Sequence, residues 1–194
     1  MAMNVNAFAG ARPMQVRAGD PDAELVAAAR TNPREFLALY DRYFDRVLGY
    51  VRLRIRDSAT CEDVTSRVFT TALEQIGRFR GEGSFAGWLF QIARNAVRDV
   101  QRQRTADPFA EDMDQPTAEP TAEERVLELE RARELQSLIR RLRPEQQHLL
   151  ALRYGAGLPY EEIGAIVGSA PATVRVRMHR VLEELRLRYS HDDA

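Results

Sequence analysis

Lysine is absent from this 194-residue chain, so all 28 basic side chains are arginine. A base-composition bias explains that as well as function does. Arginine does suit phosphate and base-edge contacts, because its planar fork donates two parallel hydrogen bonds. Cysteine is nearly absent too. The single Cys61 excludes an internal disulfide and reads as a small buried apolar residue. His148, His179 and His191 are scattered, and no Cys/His cluster has metal-ligand spacing, so neither a metal nor a cofactor is expected. No apolar run approaches the roughly 20 residues that span a bilayer. Met1 to Gly19 lacks a basic start followed by an apolar stretch, so no secretory leader is visible and a cytoplasmic location is expected. Enzyme signatures are also missing: there is no dinucleotide or phosphate loop, no H-E-x-x-H and no nucleophile–base set, and Gly81-Glu82-Gly83 is too short to serve. No catalytic residue is nominated, and an enzyme is not expected.

What is present is a segregation of charge. The net charge of -1 hides two basic blocks around an acidic one. Arg34 to Arg104 carries 13 Arg against 9 Asp/Glu, Thr105 to Glu124 carries 7 Asp/Glu and no Arg, and Arg125 to Arg188 carries 12 Arg against 8 Asp/Glu. The whole-chain balance therefore conceals two candidate nucleic-acid-binding segments.

The apolar periodicity is helical throughout, and no alternating run is long enough for a strand pair. Asp20 is placed to cap a short helix begun by Pro21, and Asn32 with Pro33 repeats that signal. Phe36, Leu37, Tyr40, Phe44, Val47, Leu48 and Val51 then mark one face of an amphipathic helix. A second helix begins near Thr60, with Val64, Val68, Phe69, Ala72 and Leu73 inward and Ile76 closing it. A third runs from about Phe85 to Arg104, its apolar stripe being Trp88, Leu89, Ile92, Ala96 and Val100. Pro108, Pro116, Pro120 and the acids between Thr105 and Thr121 form a linker whose composition cannot bury a core. Beyond it, Val126 to Leu142 predicts a long helix, Pro144 begins another that Gly155 and Gly157 end, Pro159 starts a short one, and Pro171 starts the last. The expected organisation is all-α in two small domains: a tail at 1–19, a first domain at 20–104, a linker at 105–121, a second domain at 122–190 and a short tail at 191–194.

Three constellations point to nucleic acid. Leu158 to Arg188 has helix-turn-helix spacing, with Gly168 to Ala170 as the turn and Val174, Met178, Val181, Leu182 and Leu185 inward. The outward residues of its second helix are Ala172, Thr173, Arg175, Val176, Arg177, His179 and Arg180, small at the tip and rich in arginine, as major-groove reading requires. A helical hairpin with a solvated basic face has the same spacing. The second constellation interleaves aromatics and arginines around a glycine loop: Arg78, Phe79, Arg80, Gly81, Gly83, Ser84, Phe85 and Trp88. Rings that stack bases beside arginines that hold phosphates bind single strands. On residue type alone Trp88 is more readily a core anchor. The third is a polar stripe, Gln91, Arg94, Asn95, Arg98 and Arg102, continuing directly from that loop.

The run Asp63-Val64-Thr65-Ser66-Arg67-Val68-Phe69, the stretch Phe79 to Asn95, and the pair Tyr160-Glu161-Glu162-Ile163-Gly164 and Thr173 to Arg180 resemble, in order, the extracytoplasmic-function (ECF) group of sigma-70 family RNA polymerase sigma factors. The resemblance implies two helical domains. The first would bind the clamp helices of the polymerase β′ subunit through Asp63, Ser66, Arg67 and Phe69. It would also melt and read the minus-ten promoter element with Arg78, Phe79, Arg80, Gly81, Gly83, Ser84, Phe85, Trp88, Gln91, Arg94, Asn95 and Arg98. The second would read duplex minus-thirty-five DNA and sit on the β flap, with the acidic linker threading toward the RNA exit path. An anti-sigma factor is the further partner implied. Ser66 and Arg67 stand where the family commonly has Gln and an acid. Gly164 stands where Ala is usual, a change expected to loosen its helix by roughly 1 kcal/mol. Ala170 stands where a capping Ser is common. A stand-alone helix-turn-helix regulator, or a degenerate sigma that titrates a partner, is the competing reading. Against the first of these, the N-terminal half has no α/β receiver pattern.

Overall fold

The computed structural model describes residues 20–79, 83–106 and 134–192. The expected tail at 1–19, loop residues Arg80, Gly81 and Glu82, the linker from 107, and the apolar positions Val126, Leu127 and Leu129 lie outside them. The described residues form α1 (Ala23–Thr31), α2 (Phe36–Arg52), α3 (Ser58–Gln75), α4 (Phe85–Ala106), α5 (134–140), α6 (Pro144–Leu150), α7 (Tyr160–Val167) and α8 (Pro171–Asp192). Among them there is no strand. Single 3-10 turns at Pro33–Glu35 and Ile76–Arg78 lead into α2 and out of α3, and a π-helical turn, Ala151–Gly155, extends α6.

Side-chain caps set several of these boundaries. Asn32 accepts from the Arg34 amide at 3.1 Å, as its position before Pro33 predicts. Asp57 accepts from the Thr60 amide at 2.7 Å, which starts α3 at Ser58. Asp20 behaves differently from expectation. The first helix starts at Ala23, and one Asp20 oxygen holds the preceding turn through the Asp22 amide at 3.1 Å. The other accepts from the Phe85 amide at 2.8 Å, so Asp20 caps α4, 65 residues along the chain. Helix α4 also continues to Ala106, through the first two residues assigned to the linker.

The first domain packs α2, α3 and α4 around Leu39, Val47, Tyr50, Val51, Val64, Val68, Phe85, Leu89, Phe90 and Val97, all nearly inaccessible. Three residues read as inward are not: Leu37 is 62% exposed, Leu73 41% and Leu182 39%. Leu39, Tyr43 and Tyr50 are buried in place of Leu37, because α2 is covered on more than one side and its apolar arc is wider than one stripe. Below Tyr43, the buried Asp22 carboxylate accepts from both the Tyr43 hydroxyl and Arg42, tying α1 to α2.

In the second domain Leu138, Ile139, Leu142, Leu149, Leu150, Leu152, Leu158, Ile163, Val174, Met178, Val181 and Leu185 form the core. Gln146 closes the start of α6 by accepting from the Arg143 amide at 2.9 Å and reaches α8 through Glu184 at 2.7 Å. The two domains are packed together. Helix α2 crosses the π-helical turn, and α4 lies against α7. At the crossing Gly49 faces Gly155, and a Cβ on Gly49 would stand 2.2 Å from the Gly155 carbonyl oxygen. Beside it the Tyr50 hydroxyl lies 2.8 Å from Nδ1 of His148.

Candidate nucleic-acid interface

The helix-turn-helix is built on two tight backbone features. Gly168 takes the left-handed conformation (φ 65°) that ends α7. Gly164 accepts from the Ser169 amide at 2.9 Å, and a Cβ there would meet the Ser169 carbonyl oxygen at 2.6 Å. The expected loosening at Gly164 is therefore corrected: the turn closes on the glycine, and the missing side chain is what admits it. Val174, Met178, Val181 and Leu185 of α8 face inward. Ala172, Thr173, Arg175, Val176, Arg177, His179 and Arg180 are all exposed, forming one continuous outward surface. The Arg175 guanidinium lies 5.3 Å above the Tyr160 ring, whose other near cation is Arg153 at 4.9 Å. Arg177 donates to the Ser169 hydroxyl at 3.3 Å. His179 pairs with Glu183 at 3.4 Å. The surface thus offers small residues for close approach and guanidiniums held at its edge.

In the first domain Phe79, Phe85 and Trp88 form one aromatic cluster. Ring centroids are 5.1 Å apart for Phe79 and Trp88 and 5.7 Å apart for Phe85 and Trp88. Phe85 is wholly buried and Phe79 nearly so, while Trp88 remains half-buried. Phe79 and Phe85 are thus core rings, since three rings in contact cover one another. Trp88 is the part of the cluster that reaches the surface. Gly83 is buried with φ 107°, a conformation favouring glycine. The Ser84 hydroxyl accepts from the Gly87 amide at 3.1 Å, so Ser84 and Asp20 together satisfy amides at the α4 start. Arg78 is exposed.

Along α4, Gln91, Arg94 and Asn95 are half-buried, and Arg98 and Arg102 exposed, the latter paired with Asp99. Arg94, Arg98 and Gln101 recur at one-turn spacing on one face. Gln101 accepts at 3.4 Å from Nη2 of Arg54, in the turn that follows α2. Arg54 in turn donates to the Tyr50 hydroxyl at 3.5 Å, and that hydroxyl shares a hydrogen bond with Nδ1 of His148. Burial holds the Arg54 pKa below the ordinary range, with Arg94 and Arg98 adding to the effect. Burial pushes Tyr50 up to about 12. His148 is pushed down to about 3 by burial and then by Arg94 and Arg54, so it is neutral at pH 7. Sequence reasoning missed this chain of groups. Arg54 carries no motif, and an isolated His148 gives no sign that its partner lies 98 positions earlier.

On α3, Asp63, Ser66 and Arg67 are exposed on one face. Phe69 is buried, with its ring 4.7 Å from Tyr40. It floors an apolar groove of about 920 Å³ between α2 and α3, lined also by Pro33, Leu37, Tyr40, Phe44 and Leu73, with Arg34, Glu62 and Ser66 along it. The misplaced Leu37 and Leu73 therefore belong to a surface groove rather than the core. Cys61 is buried, as expected, its sulfur 3.4 Å from the Ile55 carbonyl oxygen. No helix among the described residues is long and apolar enough to cross a membrane.

Residues 39–106 match the family model for sigma-70 region 2, and residues 132–185 that for sigma-70 region 4. The chain is 36% identical over 176 residues to the ECF RNA polymerase sigma factor BldN of Streptomyces coelicolor, a match covering 88% of this chain and 66% of BldN. It is 34% identical over 155 residues to the RNA polymerase sigma factor CarQ of Myxococcus xanthus, covering 78% of this chain and 87% of CarQ. Among solved structures, that of CnrH in complex with the cytosolic domain of CnrY is similar in fold. Its TM-score is 0.66 at 23% identity, over 88% of this chain and 98% of CnrH. RpoE in its co-crystal with the anti-sigma factor NepR from Bartonella quintana gives a TM-score of 0.58 at 18% identity, over 79% of this chain and 95% of RpoE. A region-2 match, a region-4 match and relatives similar over most of this chain lead to one assignment: the chain belongs to the sigma-70 family of RNA polymerase sigma factors, in the extracytoplasmic-function group.

Proposed function

We propose that this sigma factor divides promoter recognition between its two domains as follows. The exposed face of α3 around Asp63, Ser66 and Arg67, with the apolar groove floored by Phe69, docks on the β′ clamp helices of core polymerase. Helix α4 and the loop before it hold the melted minus-ten strand. Trp88 presents the ring, Gly83 and Ser84 the close backbone, and Gln91, Arg94, Asn95 and Arg98 the polar contacts, on a floor made by Phe79 and Phe85. Helix α8 enters the major groove of the minus-thirty-five element with Ala172, Thr173 and Val176 at the tip and Arg175, Arg177, His179 and Arg180 around it, while the same domain seats on the β flap. Bond-forming chemistry belongs to the polymerase, and the site of action is the cytoplasm. An anti-sigma factor regulates the chain, a reading supported by the NepR complex of the similar fold.

The observation that carries this reading is the fully exposed outward face of α8, arginines around a small-residue tip, in one chain with a basic α4 that begins at an aromatic cluster. The test is transcription in vitro with purified core polymerase, with and without this chain, on a promoter pool whose transcript starts are sequenced. Starts that need the chain and share two spaced motifs support it. Silence, with no co-purification of core, defeats it in favour of a DNA-binding regulator or a partner-titrating sigma.

A further inference from the structure

The contacts proposed for polymerase and promoter leave Asp20 without a part. Its carboxylate is shared between two backbone amides: one oxygen accepts from Asp22 at 3.1 Å and the other from Phe85 at 2.8 Å. The first bond closes the turn in front of α1, and the second reaches the start of α4. The turn carrying Asp20 is itself held from behind. Asp22 is 1% exposed, and its carboxylate accepts from Arg42 and from the Tyr43 hydroxyl of α2. The Tyr43 ring packs edge-on against Phe85, with centroids 5.5 Å apart. Phe85 is thus fixed by residues of a single turn, its amide by Asp20 directly and its ring by Asp22 through Tyr43.

The same turn brackets the loop between α3 and α4. The chain leaves α3 through the 3-10 turn Ile76–Arg78, against which α1 packs, and enters α4 at the amide that Asp20 holds. An N–H in the first turn of a helix has no partner within that helix. Ser84 spends its hydroxyl on the Gly87 amide at 3.1 Å, so the Phe85 amide depends on Asp20. Phe85 is wholly buried, and water is no ready substitute. Trp88 then begins the helical ladder by donating to the Ser84 carbonyl at 3.2 Å. A bonded path therefore runs from Asp20 through Phe85 and Ser84 to Trp88.

We infer that Asp20 is a positioning residue for base selection: it holds the Gly83–Ser84 backbone and the Trp88 ring in the arrangement that distinguishes the base extruded from the minus-ten strand. The inference rests on the reading of α4 and its preceding loop as the strand-holding surface, and adds to it a residue outside both. Asp20 acts through Phe85 and makes no contact of its own with the strand. An extruded base is read by hydrogen bonds along its edge and by stacking on a ring. Both demand a fixed spacing between backbone and ring. Phosphate contacts at Arg94 and Arg98 demand less, since charge acts over a distance. Loss of Asp20 therefore lowers discrimination at one promoter position and leaves the other contacts in place.

Holoenzyme assembled from the full chain and core polymerase tests this on promoters randomised across the minus-ten and minus-thirty-five elements. Sequenced transcripts read the base preference at each position. In Asp20→Ala the preference at one minus-ten position is expected to fall about tenfold, because an unpaired buried donor lowers the population of the reading conformation. The minus-thirty-five preferences stay as in wild type. Asp20→Asn keeps an oxygen for the Phe85 amide and restores most of the lost preference. Asp20→Glu keeps the charge but displaces the oxygens by a methylene. It is expected to lower the preference about threefold, and it serves as the test where alanine impairs folding. Asp57→Ala controls for stability alone, because it deletes a cap of the same kind, the one Asp57 makes to the Thr60 amide at 2.7 Å. It is expected to lower the thermal midpoint and leave every preference unchanged. The inference is overturned if Asp20→Ala or Asp20→Glu keeps the full preference, if Asp20→Asn fails to restore it, or if Asp57→Ala erodes the same position. The reading beneath it is tested in the same assay by Trp88→Ala and Arg94→Gln. If these leave the minus-ten preferences intact, the assignment of α4 to the strand fails. If they erode them while Asp20→Ala does not, only the present inference fails.

Discussion

Gly49 and Gly155 meet so closely that neither tolerates a side chain: a Cβ on Gly155 would lie 2.5 Å from the Gly49 oxygen and 2.9 Å from the Tyr50 Cα. All of these are backbone atoms, which cannot turn aside as a side chain would. The two domains must therefore separate to admit even a methyl group.

Gly155→Ala is accordingly expected to reduce the stability of the full chain by about 1–3 kcal/mol, the usual cost of overpacking. Guanidinium unfolding followed by circular dichroism checks this. A first domain that then melts apart from the second, in two transitions instead of one, is the accompanying signature. An unchanged midpoint would mean that the crossing contributes nothing to holding the domains.

The buried His148 makes that contact sensitive to acid. Its pKa is about 3 in the folded chain against roughly 6.5 when exposed. The unfolded or opened chain therefore takes up a proton that the closed chain refuses. Stability from this group is fully present above pH 6.5 and is lost as pH falls below it toward 3. The groups facing His148 are Tyr50 of α2, Arg54 in the turn after it, and Arg94 of α4. Both arginines disfavour a second positive charge. Between pH 7.5 and 5.5 the loss is expected to be about 1 kcal/mol. His148→Gln, which cannot titrate, removes the pH dependence over that interval, and urea midpoints at the two pH values measure it.

Gly164→Ala separates local propensity from packing. Helix propensity alone predicts a gain of about 1 kcal/mol. The contact with the Ser169 oxygen at 2.6 Å predicts the opposite. A net loss of about 1–2 kcal/mol is expected, with overpacking outweighing propensity, along with weaker duplex binding as α8 is displaced. A more stable variant would show that the turn relaxes freely. By contrast Ala170→Ser, at the exposed position just before α8, is expected to add about 1 kcal/mol by supplying the missing cap.

These residues also mark what was legible in the sequence. Helix order, the starts at Pro144, Pro159-Tyr160 and Pro171, and the outward face of α8 follow from proline, glycine and three-four spacing, which act within a few residues. By sequence Asp20 is a local cap, because its partner, the Phe85 amide, is brought to it only by the tertiary fold. Leu37 and Leu73 fit an inward stripe by period, yet they border a groove. Periodicity identifies an apolar face but not what covers it. The Tyr50–His148 bond, the glycine crossing and Arg54 lie where two domains meet, and nothing in either domain's own pattern announces that meeting.

Tyr160 offers the last test, because it positions an arginine without being placed to touch DNA itself. The Arg175 guanidinium lies 5.3 Å over its ring, and Arg153 4.9 Å. A cation over an aromatic face at an exposed site is worth about 0.5–1 kcal/mol. Tyr160→Leu keeps an apolar side chain there but removes the ring that fixes Arg175. Duplex binding is then expected to weaken about threefold, with the salt slope unchanged, since no phosphate contact is deleted. Arg177→Ala, which removes an exposed cation outright, is expected to lower that slope by about 0.9 if the side chain meets a phosphate. Fluorescence anisotropy with a minus-thirty-five duplex across a salt series reads both quantities. A slope that falls with Tyr160→Leu would show that Arg175 needs the ring to reach the backbone at all, and would move it from base reading to phosphate anchoring.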